Sequence, residues 1–389
     1  MKKILFFAIA LMSAAMFTAC DDTKTPSGDT TQLWRAKQDN GKLYGLINSS
    51  GKFVIEPQYD YIYGFSCGWC LVEEGSAVKF IDKNNKTAQG FNQDRLASYY
   101  FYYDRLTFED GGKYGKYDNK FNVVVPADYN SLGVTADNGY CYFSKETGKY
   151  GYLDKNGKVV IEDKFASAGA FADGIAVVSK QEDYTMKHGV IDANGKYLIE
   201  PQSEKTLMNM GEGRIGFINK ENKCGMMDKN GNVLVEPKYD YNLDYFFSAP
   251  VFSCGLARVC KDGEWGYINI KGEEVIAPAF VDAADFAEDV AWVKRNSGGL
   301  YELINKQGKT LLTLEKDEEP DGLFHNGLCL IEGNKVYRYI NKSGKEIYKW
   351  TIGESNNAPK HETLSEMSKR EMLASPKGYL FDQEIELVH

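Results

Sequence analysis

Tyr150-Gly151-Tyr152-Leu153-Asp154-Lys155-Asn156-Gly157-Lys158 is a phrase that this chain repeats. It returns as Tyr44-Gly45-Leu46-Ile47-Asn48, His188-Gly189-Val190-Ile191-Asp192, Cys224-Gly225-Met226-Met227-Asp228 and Trp265-Gly266-Tyr267-Ile268-Asn269, each with a second glycine three residues on. Tyr114-Gly115 opens a further copy in which Phe121 stands at the turn glycine. Three copies carry Lys79, Glu302 or Arg338 in place of the first glycine. The anchors therefore fall at 45, 79, 115, 151, 189, 225, 266, 302 and 338, a mean spacing of about 37 residues with no unit missing.

Each unit has one grammar. A first strand such as Gly174-Ile-Ala-Val-Val178 leads to the anchor strand, whose alternation marks a half-buried strand. The Asp-Lys-Asn-Gly segment reverses the chain, with glycine supplying positive φ. A third strand such as Asn232-Val-Leu-Val235 follows and is expected to end at Pro57, Pro201, Pro237 or Pro278, since proline cannot donate to a ladder. An aromatic step, as in Phe171-Ala-Asp-Gly174, Phe252-Ser-Cys-Gly255, Phe286-Ala-Glu-Asp289 or Phe324-His-Asn-Gly327, restarts the cycle. The anchor glycines Gly45, Gly115, Gly151, Gly189, Gly225 and Gly266 read as structural, letting the preceding bulky residue lie over a neighbouring backbone. Units with Lys79, Glu302 or Arg338 there are expected to pack less regularly.

One three-stranded unit cannot bury both faces of its sheet, so neighbours must supply the core. The fold expected is all-β: antiparallel three-stranded repeats stacked into an open, twisted β-array. The alternative is a closed, propeller-like ring, disfavoured because blades usually have four strands and about 40–45 residues.

The Gly, turn, Pro and Phe-x-x-Gly positions together resemble the WG β-repeat family, whose Trp-Gly pair stands here as Trp265-Gly266. The similarity spans residues 33–350. It implies a repeat scaffold, often on cell surfaces, and no common catalytic residue.

Residues 1–19 read as a signal peptide, with Lys2 and Lys3 before an apolar run. Phe17-Thr18-Ala19-Cys20 resembles a lipobox, implying an acylated Cys20 and a polar tether over 20–31. Cys20-Asp21-Asp22 resembles the acidic export signals of Bacteroidetes lipoproteins, implying the outer membrane and display at the surface. Nine repeats occupy 32–350. Residues 351–389 form a polar linker and tail in which 361–374 has the composition of a capping helix. Without the two signal lysines, 44 basic residues face 55 acidic ones, a net charge of −11. Such a surface repels nucleic-acid phosphates, so nucleic acid is not expected as a partner and the membrane is reached only through the lipid.

The repeat frame absorbs most tempting residues. Cys70, Cys141 and Cys329 share a small apolar slot with Ala176, Ala257 and Ala291. Seven cysteines remain besides Cys20, so at least one is unpaired; one bridge, Cys67 to Cys70 or Cys254 to Cys260, stays open. His188 and His325 fill scaffold positions, and no triad, P-loop, dinucleotide or calcium-loop pattern occurs. No catalytic residue, metal or cofactor is therefore expected. Tyr99-Tyr100-Phe101-Tyr102-Tyr103 alone departs from the grammar, with a weaker cluster at Tyr239, Tyr241, Tyr245, Phe246 and Phe247. Exposed tyrosines stack on sugars and anchor protein interfaces, so Tyr99, Tyr100, Tyr102 and Tyr103 form a candidate patch for a protein or glycan. The competing reading is that they fill a gap between units. The function expected is a lipid-anchored binding scaffold; a polymer hydrolase with a carboxylate groove and an architectural spacer are the alternatives.

Overall fold

The computed structural model describes residues 32–352 except 147, 203–204 and 242–250. The expected acyl site, tether, residues 245–247 of the second aromatic cluster and the C-terminal helix lie outside these residues; Tyr239 of that cluster is buried and donates to Glu274 at 2.8 Å. The described chain forms nine antiparallel sheets in sequence order, here blades 1 to 9: residues 34–59, 61–81, 106–129, 131–165, 167–202, 206–240, 256–280, 282–313 and 319–351. Blades 4, 5, 6, 8 and 9 have four strands rather than three. In four of these the extra strand is only two residues long: Ser131–Leu132, Ser167–Ala168, Asp282–Ala283 and Glu319–Pro320. Such stubs are too short to show alternation, which is why they read as linker. In most blades the last strand alternates exposed and buried residues, as in Val159–Phe165, and so forms the outer edge; blade 2 ends instead on its anchor strand, Ala77–Ile81.

The nine blades close into a β-propeller, correcting the open array in favour of the ring. An open stack of nine units has eight interfaces. Here nine hydrophobic clusters lie one at each junction, including a ninth that joins blade 9 to blade 1 through Leu328, Leu330, Tyr339 and Trp350 with Trp34, Ala36 and Ile47. No strand is exchanged across this seam. It is closed by packing and by bonds from Asn40 N to Thr351 O (2.9 Å), Tyr348 Oη to Lys37 O (2.9 Å), Tyr339 Oη to Arg35 O (3.0 Å) and Thr351 N to Asp39 Oδ1 (3.0 Å).

The outer strand does not stop at proline; it bulges there. Phe53–Tyr59 runs through Pro57, and Tyr44 and Leu46, two residues apart, face Tyr59 and Ile55, four apart. The extra backbone is pushed onto the anchor glycine. A Cβ on Gly45 would lie 2.4 Å from Ile55 O, one on Gly151 2.5 Å from Ile161 O, and one on Gly266 2.6 Å from both Ile276 O and Pro278 N. The same shift occurs opposite Gly115 and Gly225, and a smaller one opposite Gly189, where His188 and Val190 face Gln202 and Ile199. Opposite Glu302 and Arg338 the ladder runs without it. The expectation that these units pack less regularly is reversed for Glu302 and Arg338, where the bulge that needs the glycine is lost with it, but holds for Lys79, whose blade ends on the anchor strand and has only the isolated bridge Ile81–Thr87 in place of an outer strand.

The turn phrase has two jobs. Asp154 Oδ1 accepts from Asn156 N (2.8 Å) and Lys158 N (3.0 Å), closing the reversal. Gly157, at φ +86, then lies flat on Val125 of blade 3, its imagined Cβ 3.3 Å from Val125 Cγ2. Gly195 seats on Ile161, Gly272 on Val235 and Gly344 on Leu312 in the same way, and Gly51 meets Ile347 O across the seam. On the same face a carboxylate from one blade's aromatic step accepts from the next blade's step: Asp137 from Asp173 N (3.1 Å), Asp173 from Gly213 N (3.3 Å), Glu212 from Gly255 N (3.0 Å) and Glu288 from Gly327 N (3.0 Å).

Cys70, Cys141 and Cys329 are buried and pair with Ile81, Leu153 and Ile340, as Ala176, Ala257 and Ala291 pair with Ile191, Ile268 and Ile304. All share one slot, opposite the second residue after the anchor. The seven described cysteines are free thiols, so neither proposed bridge is formed.

Lys116 is the costliest core residue. It is 1% exposed and donates only to Thr107 Oγ1 at 3.0 Å, and burial lowers its amine below the ordinary lysine value. A base whose folded-state value is lowered binds fewer protons folded than unfolded, so stability rises with pH between the folded value and 10.5. Lys116→Met should therefore stabilise the ring at pH 7 by on the order of 1 kcal/mol and flatten that alkaline rise. Denaturant melts from pH 7 to 10.5 check this; an unchanged slope in the variant would count against it.

Candidate aromatic site at the ring seam

The Tyr99–Tyr103 run is an aromatic step in disguise. Tyr102 bridges Arg105 as Ala172 bridges Ile175 and Ala287 bridges Val290. Tyr103 (φ 48) and Asp104 (φ 64) match the turn residues Glu288 (φ 51) and Asp289 (φ 69). Phe101 thus occupies the position of Phe286 and is 1% exposed, in the blade 2–3 core with Phe80, Leu106 and Phe121. Tyr102 is buried beside it, and Tyr103 is half-buried in the turn. The gap-filling reading holds for Phe101 and Tyr102.

Tyr99 and Tyr100 differ. Both are half-buried and lie against Tyr63, Tyr99 stacked at 5.0 Å and Tyr100 edge-on at 6.5 Å. Tyr63 meets Tyr61 at 4.9 Å, and Tyr61 meets Tyr44 at 5.7 Å. The rings thus continue from blade 3 to blade 1. Arg35, on the innermost described strand of blade 1 (Trp34–Lys37), lies over Tyr61 at 4.9 Å, donates to Tyr61 Oη and to Ile62 O (3.4 Å), and reaches Asp321 of blade 9 at 3.9 Å. Lys37 covers the Tyr44 ring at 4.1 Å. Tyr337, in blade 9, donates to Glu332 at 2.9 Å, and Tyr63 to Glu73 at 2.7 Å.

Burial disfavours the Arg35 charge, but Tyr61, Asp321, Tyr44 and Tyr339 more than offset this and hold the guanidinium well above its ordinary value. Burial, then the Glu73 bond, pushes the Tyr63 phenol up, and burial, then Glu332, does the same for Tyr337. The site therefore presents the Arg35 guanidinium, carboxylates, and the Tyr63 and Tyr337 phenols held as neutral donors to Glu73 and Glu332. Arg35 and Asp321 keep 28% and 26% of their side-chain surface exposed.

Sequence reasoning picked Tyr99 and Tyr100 and missed Arg35, Tyr44, Tyr61, Tyr63, Asp321, Glu332 and Tyr337. The alternation in Tyr59-Asp-Tyr61-Ile-Tyr63 carried part of the signal. Joining it to Tyr337 required knowing that the ring closes. Gly45, Gly115, Gly151, Gly189, Gly225 and Gly266 sit under bulges. Among the described residues no three His, Cys, Asp or Glu side chains converge as a metal site.

Comparison with known sequences now bears on the repeat. Residues 44–76, 150–184, 225–265 and 265–298 match the WG containing repeat family model. These four segments, together less than half of the chain, are similar to WG repeats. The four matches include anchors 45, 151, 225 and 266. No curated protein matches the chain. Among solved structures, the crystal structure of a eukaryotic initiation factor shares 10% identity over 83% of this chain and 96% of its own, with a TM-score of 0.55, a likeness of fold alone. BamB from Moraxella catarrhalis (12% identity, 63% and 79% covered, TM-score 0.35) and Kluyveromyces lactis Hsv2p (10%, 64% and 93%, 0.36) also align.

Proposed function

We propose that this WG-repeat propeller is a lipid-anchored cell-envelope protein, probed from outside the outer membrane, that binds a protein or glycan through the seam face. The observation that carries the reading is the run of rings Tyr44, Tyr61, Tyr63 and Tyr99, only Tyr63 of them fully buried, beside an Arg35 that reaches Asp321 of blade 9. Rigid aromatic bodies with polar tips bury large area at small entropic cost, and a guanidinium over a ring adds hydrogen-bonding direction. The lipid anchor rests on Phe17-Thr18-Ala19-Cys20 and the export reading on Asp21-Asp22. The reading includes no catalytic step. Two carboxylates held above the ordinary range by burial, Asp282 and Asp285, face Lys294 and Arg258 within the blade 7–8 contact.

Photo-cross-linking in intact cells tests it, with p-benzoylphenylalanine at position 37 beside the patch or at the fully exposed position 184 on blade 5. The expected result is a defined product from position 37, reduced at least about tenfold by Tyr61→Ala, a loss of the size a binding hot spot gives. Equal products from both positions, or indifference to Tyr61→Ala, would overturn the seam face as the binding surface. Cys20→Ser should move the chain out of the membrane fraction; retention there would overturn the anchor.

A further inference from the structure

Two arginines occupy the same slot of the repeat. Arg35 pairs with Leu46 and Arg258 with Tyr267, each the residue after an anchor glycine. Both guanidiniums lie over a ring, Tyr61 at 4.9 Å and Trp265 at 5.3 Å. Both also reach a carbonyl on the first strand of the next blade, Ile62 O at 3.4 Å and Ala283 O at 3.0 Å. Each has one carboxylate beside it, Asp321 from blade 9 or Asp285 from blade 8. The difference lies in how that pair is closed. Arg258 Nε stands 3.0 Å from Asp285 Oδ1, and the arginine side chain is only 6% exposed. Arg35 Nη2 stands 3.9 Å from Asp321 Oδ2, beyond hydrogen-bond length, and both side chains open to solvent.

At the seam two polar groups therefore keep unused bonding capacity. Arg35 makes its hydrogen bonds from Nη1, to Tyr61 Oη and Ile62 O, so the Nε–Nη2 edge of the fork donates to no described residue. The Asp321 carboxylate likewise accepts from no described residue. The other carboxylates of the site are engaged, Glu332 by Tyr337 Oη at 2.9 Å and Glu73 by Tyr63 Oη at 2.7 Å. What remains is a donor edge and an acceptor side by side, with opposite charges. A charged ligand would pair with one and be repelled by the other. A protein surface closing over both would strip water from two ions and need a cation and an anion of its own in register. A neutral ligand with neighbouring hydroxyls meets both at once: one hydroxyl oxygen accepts from the guanidinium and the next hydroxyl donates to the carboxylate. The half-buried Tyr44 and Tyr61 offer apolar ring surface to the C–H bonds of the same ligand.

We infer that the seam takes a neutral sugar through two vicinal hydroxyls held between Arg35 and Asp321, with the sugar ring packed against Tyr61. The inference rests on the seam-face reading above and narrows its partner from a protein or glycan to an uncharged glycan. Arg258 and Asp285 show the same device in structural use: closed and buried, it fastens blade 7 to blade 8. Held open between blades 1 and 9, it is left for a ligand. The two halves of the clamp lie at opposite ends of the described chain, so no local motif in the sequence announces them.

Calorimetric titration of the intact protein with maltotriose, cellotriose, mannotriose and tri-N-acetylchitotriose tests this, with trigalacturonate and the free-amine chitosan trimer as anionic and cationic counterparts. At least one neutral trisaccharide should bind about tenfold or more tightly than either charged one. Its affinity should not change between about 0.05 and 0.5 M salt, since no ion pair forms with the ligand. Arg35→Lys keeps the charge and loses the fork, and Asp321→Ala loses the acceptor; each should weaken binding at least about tenfold. Tyr184→Ala, on a fully exposed residue of blade 5, should leave it unchanged. The inference is overturned if no neutral trisaccharide binds, if a charged one binds as well, or if binding survives both Arg35→Lys and Asp321→Ala. A Tyr61-dependent protein product from position 37 with no sugar binding would overturn the sugar while the seam face stands, so the two readings fail separately.

Discussion

Gly266→Ala should lower the unfolding free energy by about 3 kcal/mol. The new methyl would lie 2.6 Å from Ile276 O and Pro278 N and 2.8 Å from Ala277 C, all backbone atoms that no rotamer change can move. The bulge would have to straighten, shifting the outer strand against blade 8. Glu302→Ala, at the same anchor position in blade 8, meets a regular ladder. It loses only the contacts from Thr310 Oγ1 (2.6 Å) and Arg295 (3.2 Å), a cost near 1 kcal/mol or less. Denaturant unfolding of the two variants side by side tests the link between glycine and bulge. Equal losses would show that the anchor glycine is valued for something other than the crowding above it.

Trp350→Ala should be as damaging, about 3–5 kcal/mol, and its damage should be local. Trp350 is 3% exposed and stacks on Tyr337 at 5.3 Å, with Tyr339 and Tyr348 around it at 6.1 Å. It fills the only junction whose two sides lie at opposite ends of the described chain. Arrays of this kind take stability from nearest-neighbour contacts, so hydrogen exchange should show blades 1 and 9 losing protection while blade 5 keeps it. A uniform loss around the ring, or none at the seam, would contradict that picture.

Much of the repeat unit was legible in the sequence because its signals are local: an anchor glycine, a turn phrase, a small slot opposite the anchor strand; the bulge at the proline was read instead as a strand end. Cys70, Cys141 and Cys329 could be placed in that slot from spacing alone, and their pairing with Ile81, Leu153 and Ile340 bears it out. Two kinds of information were not local. The two-residue strands such as Ser167–Ala168 are defined by the partner they meet, not by their own pattern. Closure depends on residues such as Arg35 and Tyr339, which touch only once eight junctions have been turned. The binding patch inherits that limit: Tyr99 was visible as an oddity, but its continuation through Tyr63 and Tyr61 to Arg35 and Asp321 exists only in the ring. Phe101-Tyr-Tyr-Asp104 misled for a smaller reason, since its aspartate stands where most copies have glycine, as Asp289 also does.

The seating of each turn glycine on the preceding blade gives the junction a polarity: every unit has a head and a tail, and head fits only tail. That is the geometry which, between separate molecules, yields either a closed circle or an endless filament, depending on the turn per unit. Here a turn of about 40° per unit brings the ninth tail to the first head, and Gly51 against Ile347 O is where the two meet. Closure is thus what makes the protein finite: it consumes both of the complementary surfaces that would otherwise recruit another copy.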